Sequence, residues 1–188
     1  MKNFNFFSNL KSIIFAVFIA LVIRSFLFEP FNIPSGSMKP NLLVGDFIFV
    51  SKWSYGFSKH SLPFSIPIIP GKIFSKEPQR GDIAVFKTPE NNRTDYIKRI
   101  IGIPGDKIKI SNGSIILNDS VILRKRTDDF IENDKNSQSK RIRKYKEFFL
   151  NKEFEILDIT DNGIVDNTST FTVPENHFFV MGDNRDNS

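Results

Sequence analysis

The residues able to do chemistry lie in two short stretches of a 188-residue chain. The first is Pro30-Phe31-Asn32-Ile33-Pro34-Ser35-Gly36-Ser37-Met38-Lys39-Pro40. Its prolines fix φ and forbid helix, so the segment is extended or turned. Gly36 between two serines lets the backbone approach another molecule closely. A serine held there with a free backbone amide can act as a nucleophile, and a second hydroxyl two residues away can point at the same oxygen. A plain Ser-Gly turn explains the same residues. The second stretch is Asp95-Tyr96-Ile97-Lys98-Arg99-Ile100-Ile101-Gly102-Ile103-Pro104-Gly105-Asp106. In an apolar strand Lys98 and Arg99 point to opposite faces, so one of them faces inward. Desolvation disfavours a lysine's ammonium form, and a neutral amine can take a proton from a serine hydroxyl. A snorkelling lysine that protects a sheet edge is the alternative.

Other chemistries lose their residues. The chain has no cysteine, which removes disulfides, thiolate nucleophiles, iron–sulfur clusters and Cys-based zinc sites. There is no phosphate-binding glycine loop, no dinucleotide fingerprint, no H-E-x-x-H and no G-x-S-x-G. The two histidines, His60 and His177, stand alone and read as structural. Lysines and arginines number 26 against 21 acidic residues, and the net +5 is spread along the chain, so no nucleic-acid patch is expected. Serine with lysine is the dyad this sequence most readily builds.

These residues need a frame. Ser12 to Phe28 contains only Ser12, Arg24 and Ser25 as polar residues; its 17 residues reach about 25 Å as a helix, slightly short of a bilayer's hydrocarbon core. Arg24 can snorkel, and no small-x-small cleavage site follows, so an uncleaved transmembrane anchor is expected over 12–28. Lys2 and Lys11 place residues 1–11 in the cytoplasm. Beyond Glu29 short apolar runs alternate with Gly, Pro and Asn turns. Strands are expected at Asp46–Val50, Asp82–Phe86, Tyr96–Ile101, Lys107–Ile110, Ser114–Leu117, Thr170–Val173 and His177–Met181, with a hairpin across Asn112-Gly113. Residues 57–74 read as an apolar loop, either covered or dipping into lipid. Residues 124–146 read as a solvated polar insertion, with contact to anionic headgroups as the alternative.

Four blocks together resemble bacterial type I signal peptidase: Ser35-Gly36-Ser37-Met38-x-Pro after the apolar segment, Gly81-Asp82-Ile83-Ala84-Val85-Phe86, Tyr96 through Asp106, and Gly182-Asp183-Asn184-Arg185-Asp186-Asn187-Ser188. They occur in the family's order. The resemblance implies a mostly β fold: an antiparallel-sheet catalytic domain of the signal peptidase and self-cleaving repressor type, over 29–188, with a variable polar insertion at about 118–168, behind one N-terminal transmembrane helix. It implies Ser37 as nucleophile, Lys98 as general base, Ser35 with the Ser37 N–H as oxyanion hole, and Ser188 as the hydroxyl that orients the lysine. Phe31, Ile33, Met38, Leu42, Tyr96 and Ile97 match positions lining shallow pockets for two small residues before the cleaved bond. Arg99, Gly182, Asp183 and Arg185 look like structural support. No metal or cofactor is implied. The implied partners are the signal peptides of exported preproteins and the lipid bilayer, for a monomer in the bacterial cytoplasmic membrane with its catalytic domain outside. The family motif normally runs on past Ser188 to another Asp and Arg and more sheet, so a fragment is also expected. The alternatives are an inactive, truncated signal-peptidase-like domain that binds signal peptides without cutting them, and a self-cleaving repressor, which the anchor disfavours.

Overall fold

An apolar run without proline or glycine, Ile13 to Ile23, builds the centre of α1 (Phe6–Phe26). Ile13, Phe15, Val17 and Phe18 are all exposed, so packing against protein is not what holds this helix. It ends earlier than the expected span 12–28. Pro30 disfavours helical backbone just before it, the chain turns at Leu27, and Phe28 opens a strand. The computed structural model describes residues 6–62, 68–89, 91, 93–133, 139–160 and 163–188, without the side chains of 6–9, 60 and 133. Among the described residues no helix is long and apolar enough to cross a membrane.

Two units result. The first comprises Met1–Asn32 and Phe47–Glu77. In it β1 (Phe28–Asn32) pairs antiparallel with β2 (Phe47–Ser51), with Pro30 opposite Phe49. A two-stranded sheet is all edge, which is where a strand tolerates proline. Glu29 accepts from Arg24 at 3.1 Å and pairs with Lys52 at 2.8 Å. The 57–74 stretch is not wholly loop: β3 (Phe57–Ser58) pairs with β4 (Lys72–Ile73). Ile68 and Phe74 there are exposed. Phe64 and Ile66, also read into that stretch, lie outside the described residues, as does the His60 side chain.

The second unit comprises Ile33–Asp46 and Pro78–Ser188. Its strands are β5 (Ile83–Lys87), β6 (Asp95–Gly102), β7 (Lys107–Ser111), β8 (Ser114–Leu117), β9 (Ser120–Val121), β10 (Leu123–Arg126), β11 (Phe130–Asn133), β12 (Ser139–Phe149), β13 (Lys152–Asp158), β14 (Phe171–Thr172) and β15 (Phe179–Met181). Three antiparallel sheets form, in the orders β15-β6-β5, β14-β7-β8-β9 and β10-β12-β11, with β13 on the other edge of β12. Every expected strand is present, Ser114–Leu117 with the expected bounds and the others with shifted ends. Ile108 and Ile110 alternate inward between exposed lysines, and Asn112 and Gly113, both at positive φ, make the hairpin turn. Ile101, Ile108, Ile115, Leu117, Phe149, Phe154, Ile156 and Val173 share one core.

The stretch 124–146, expected as a solvated polar insertion, is mostly exposed or half-buried among its described residues and is also regular. Those residues form β10, β11 and most of β12, and Arg143–Phe149 of β12 pair with β13. Cross-strand charge pairs, Lys144–Glu155 at 2.9 Å and Lys146–Glu153 at 3.1 Å, take the place of the apolar alternation that would have marked a strand.

Candidate active site

Ser37 sits in the connection from β1 to β2, and that connection is closed at its base. Ile33 N–H donates to Asp46 carbonyl and Gly45 N–H to Ile33 carbonyl, both at 2.9 Å. Buried Ile33 and Met38 anchor it. Pro34 and Pro40 keep it from winding into helix, leaving single turns: Lys39 N–H to Gly36 carbonyl at 3.2 Å and Leu42 N–H to Met38 carbonyl at 3.0 Å. Ser35 is exposed and Ser37 buried, and their hydroxyl oxygens stand 3.5 Å apart, at the edge of hydrogen-bond range. The Ser37 N–H donates to nothing among the described residues.

The last motif grips this turn. Asn184 N–H donates to the Ser37 carbonyl at 3.0 Å, and Asn184 Nδ2 donates to the Gly36 carbonyl at 3.1 Å. Gly182 must be glycine: a Cβ there would strike the Ser37 carbonyl and stand 2.6 Å from Ser188 Cβ. Asp183 is fully buried. It accepts two hydrogen bonds from Arg99, each 2.7 Å, and one from Asn41 Nδ2, also 2.7 Å. Arg99 also donates to the Gly81 carbonyl at 2.9 Å and lies 3.8 Å over the Phe154 ring. The turn with Ser37 and the strand with Lys98 are thus joined through one carboxylate.

Of the adjacent pair on β6, Arg99 is the inward residue, and Lys98 takes the other face opposite Ala84, half-buried. Desolvation holds the Lys98 amine below the ordinary lysine range, partly opposed by the Asp183 carboxylate. Lys98 makes no hydrogen bond to Ser37 or Ser188 among the described residues. The implied Ser188–Lys98 contact is therefore not formed. The 3₁₀ turn Arg185–Asn187 directs the Ser188 hydroxyl to accept the Gly182 N–H instead, at 2.6 Å.

Among the implied pocket residues of the second unit, Met38 and Ile33 are buried, Leu42 and Ile97 half-buried and Tyr96 exposed. Phe31, on β1 opposite Ile48 of β2, belongs to the first unit. His177 is exposed, and its ring bonds only the Glu175 carbonyl among the described residues. No cluster of metal-ligating residues occurs among the described residues. Sequence reasoning assigned no role to Asn184 or Asn41. Asn184 was available as a side chain inside the last motif, whereas nothing local marks Asn41.

The family model described as "Signal peptidase, peptidase S26" matches residues 6–188. The chain belongs to the signal peptidase family, peptidase S26. Within it, the chain is 43 % identical to signal peptidase I of Rickettsia typhi over 186 residues, covering 94 % of this chain and 69 % of that protein. It is 42 % identical to signal peptidase I of Rickettsia canadensis over 187 residues, covering 95 % and 69 %. It is 41 % identical to that of Rickettsia prowazekii over 186 residues, covering 94 % and 69 %. By membership it is an enzyme of the serine-peptidase type.

Proposed function

We propose that this chain is a membrane-bound endopeptidase that removes signal peptides from exported preproteins after a small-x-small sequence. Ser37 is its nucleophile and Lys98 its general base. The observation that carries this reading is the unengaged Ser37 N–H beside two converging hydroxyls, on a turn tied through Asp183 to the strand that bears a desolvated lysine.

Neutral Lys98 accepts the Ser37 hydroxyl proton as Oγ attacks the scissile carbonyl. The oxyanion receives hydrogen bonds from the Ser37 N–H and the Ser35 hydroxyl. The ammonium of Lys98 returns its proton to the departing amine, and the mature protein leaves. The same amine then deprotonates a water that hydrolyses the acyl-enzyme, which frees the signal peptide with a new carboxylate. Substrate lies extended beside residues 33–35 and 96–97, with backbone hydrogen bonds giving affinity and Ile33, Met38, Leu42, Tyr96 and Ile97 giving room only to small side chains. Ser188 acts by bracing Gly182 against the turn.

The membrane reading rests on α1, whose described apolar side chains face outward all round. The Arg24–Glu29–Lys52 charges and the Phe28–Trp53 aromatic pair, 4.8 Å between centroids, suit the polar boundary next to it. Exposed Ile68 and Phe74 suit contact with lipid. An anchor in the bacterial cytoplasmic membrane, with the N-terminus inside and the site outside, would hold the enzyme where the substrate's apolar segment is already embedded and so raise effective concentration.

The test is cleavage of a preprotein bearing Ala-x-Ala by the parent and by Ser37→Ala and Lys98→Ala variants. The parent cleaves, and each variant loses on the order of 10³-fold or more in kcat. Equal cleavage by parent and variants overturns the dyad, and product still released from the membrane by a chain lacking α1 overturns the anchor.

A further inference from the structure

Lys39 is a second lysine beside the nucleophile, and unlike Lys98 it is committed to a carboxylate. It follows Met38 directly and forms an ion pair with Glu132 of β11, 93 residues away. Its side chain folds against Gly36: a Cβ at that glycine would stand 3.2 Å from Lys39 Cε and 3.3 Å from Cδ. The Lys39 side chain is only 17 % exposed and that of Glu132 36 %, so the pair is shielded more than a typical surface bridge. Lys39 N–H also returns to the Gly36 carbonyl, the same carbonyl that Asn184 Nδ2 holds. The peptide gripped in this way is the one that carries the Ser37 N–H. An ammonium bound by a carboxylate has no lone pair to offer Ser37, which separates this lysine from the role of base.

We infer that Lys39 and Glu132 are positioning residues for Ser37. Their ion pair seats the Lys39 methylenes against Gly36 and, with Asn184, fixes the peptide whose N–H serves the oxyanion. The inference rests on Ser37 being the nucleophile. It gives β11, part of a stretch that reads as mere polar insertion in sequence, a place in the chemistry: the ribbon supplies the carboxylate that holds the turn.

The experiment uses the full chain and a fluorogenic peptide bearing Ala-x-Ala, with Ser37→Ala as the zero. Lys39→Met keeps the methylenes without the charge, and Glu132→Gln removes the partner. Both lower kcat about 10- to 100-fold, because small misplacements of the reacting groups are costly. KM stays within about 2-fold, since substrate grooves are untouched. Lys39→Arg and the swapped double variant Lys39→Glu/Glu132→Lys each recover most of the kcat that Lys39→Met loses. Unchanged kcat in Lys39→Met and Glu132→Gln, or a loss expressed in KM alone, overturns the inference while leaving Ser37 in place. If Lys39→Met fails to fold, the Arg and swapped variants decide, and a lack of activity in both overturns it. A parent no more active than Ser37→Ala overturns the reading of the site and this inference with it.

Discussion

Arg99 with Asp183 and Arg185 with Glu147 are two bidentate pairs that the second unit takes out of water, and they are wired differently. Asp183 shares its oxygens between Arg99 and Asn41, and Arg99 spends its third donor on the Gly81 carbonyl and its face on Phe154. Glu147, at the core side of β12, accepts from both Arg185 terminal nitrogens, at 2.8 and 2.5 Å, and leaves the Arg185 Nε without a hydrogen-bond partner among the described residues. The first pair reaches the nucleophile turn and the strand of Lys98. The second ties the last motif to the polar ribbon and touches neither. Burying two charges costs several kcal/mol per ion, so both pairs matter to folding, yet only the first also carries geometry to the reacting atoms.

The comparison breaks most visibly at Asp183. Asp183→Ala strands Arg99 and takes one of two acceptors from Asn41 Nδ2, and should lose about 3–5 kcal/mol in urea unfolding together with on the order of 10²-fold in kcat at temperatures where the variant is folded. Glu147→Ala should lose a similar 3–5 kcal/mol, but its kcat, measured below its own unfolding midpoint, stays within a few-fold of the parent. Matched stability losses with matched kcat losses would show that the two pairs are not different in kind. A Glu147→Leu/Arg185→Met double variant should regain most of the stability, since an apolar pair of similar volume removes the stranded charge.

The sharper test is pH. Lys98 must be neutral to act, so kcat/KM rises with pH through its pKa, which desolvation sets below the ordinary lysine range and the Asp183 carboxylate raises in part. Asp183→Asn removes that opposing charge, and the rising limb should move to lower pH; Glu147→Gln should not move it. The linked sign for stability also follows. With the folded pKa lowered, the unfolded chain binds more protons between the two values, and stability rises with pH across that window. A limb that moves to higher pH in Asp183→Asn would sink the assignment of Lys98 as base.

Smaller effects belong to the supports. Asn184→Ala should cost about 1–2 kcal/mol and roughly 10-fold in kcat, since it releases one of its two bonds on the turn and leaves the Gly36 carbonyl held by the Lys39 N–H alone. Farther away, burial pushes the Asp106 carboxyl up, but Arg80, at 2.6 and 2.7 Å, with Asn118 and the Ile103 N–H, brings it below the usual carboxylate range. That stabilisation is present above the unfolded carboxylate pKa and is lost as pH falls through the folded one. Arg80→Ala should therefore lower stability at neutral pH by about 1 kcal/mol and lessen the further loss on acidification, without altering kcat.

How much of this was legible depended on which force makes each element. β7 and β8 announce themselves because isoleucines alternate with polar residues and Asn-Gly supplies the turn. β12 does not, because its inward set includes Glu147, a carboxylate whose partner lies 38 residues on in Arg185. β1 was hidden behind Pro30, which forbids helix but is indifferent between loop and edge strand. At the candidate site, Ser37, Ser35 and Lys98 stand out as candidates in the sequence, whereas the residues that pair with their segments do not: Asn41, Glu132 and Asn184 make pairings 93 to 148 residues long. The choice between Lys98 and Arg99 as inward residue was likewise open until Phe154 and Asp183 supplied a face and a carboxylate for the guanidinium.

The bond from Asn184 to Gly36 has a temporal meaning as well. Its two ends are 148 residues apart, so at a translation rate of 5–20 residues per second the turn is made about 7–30 s before the amide that will hold it. Throughout that interval the Ser37 turn lacks both bonds from Asn184. On the proposed reading, the turn that carries the nucleophile is gripped only after Asn184 has been made.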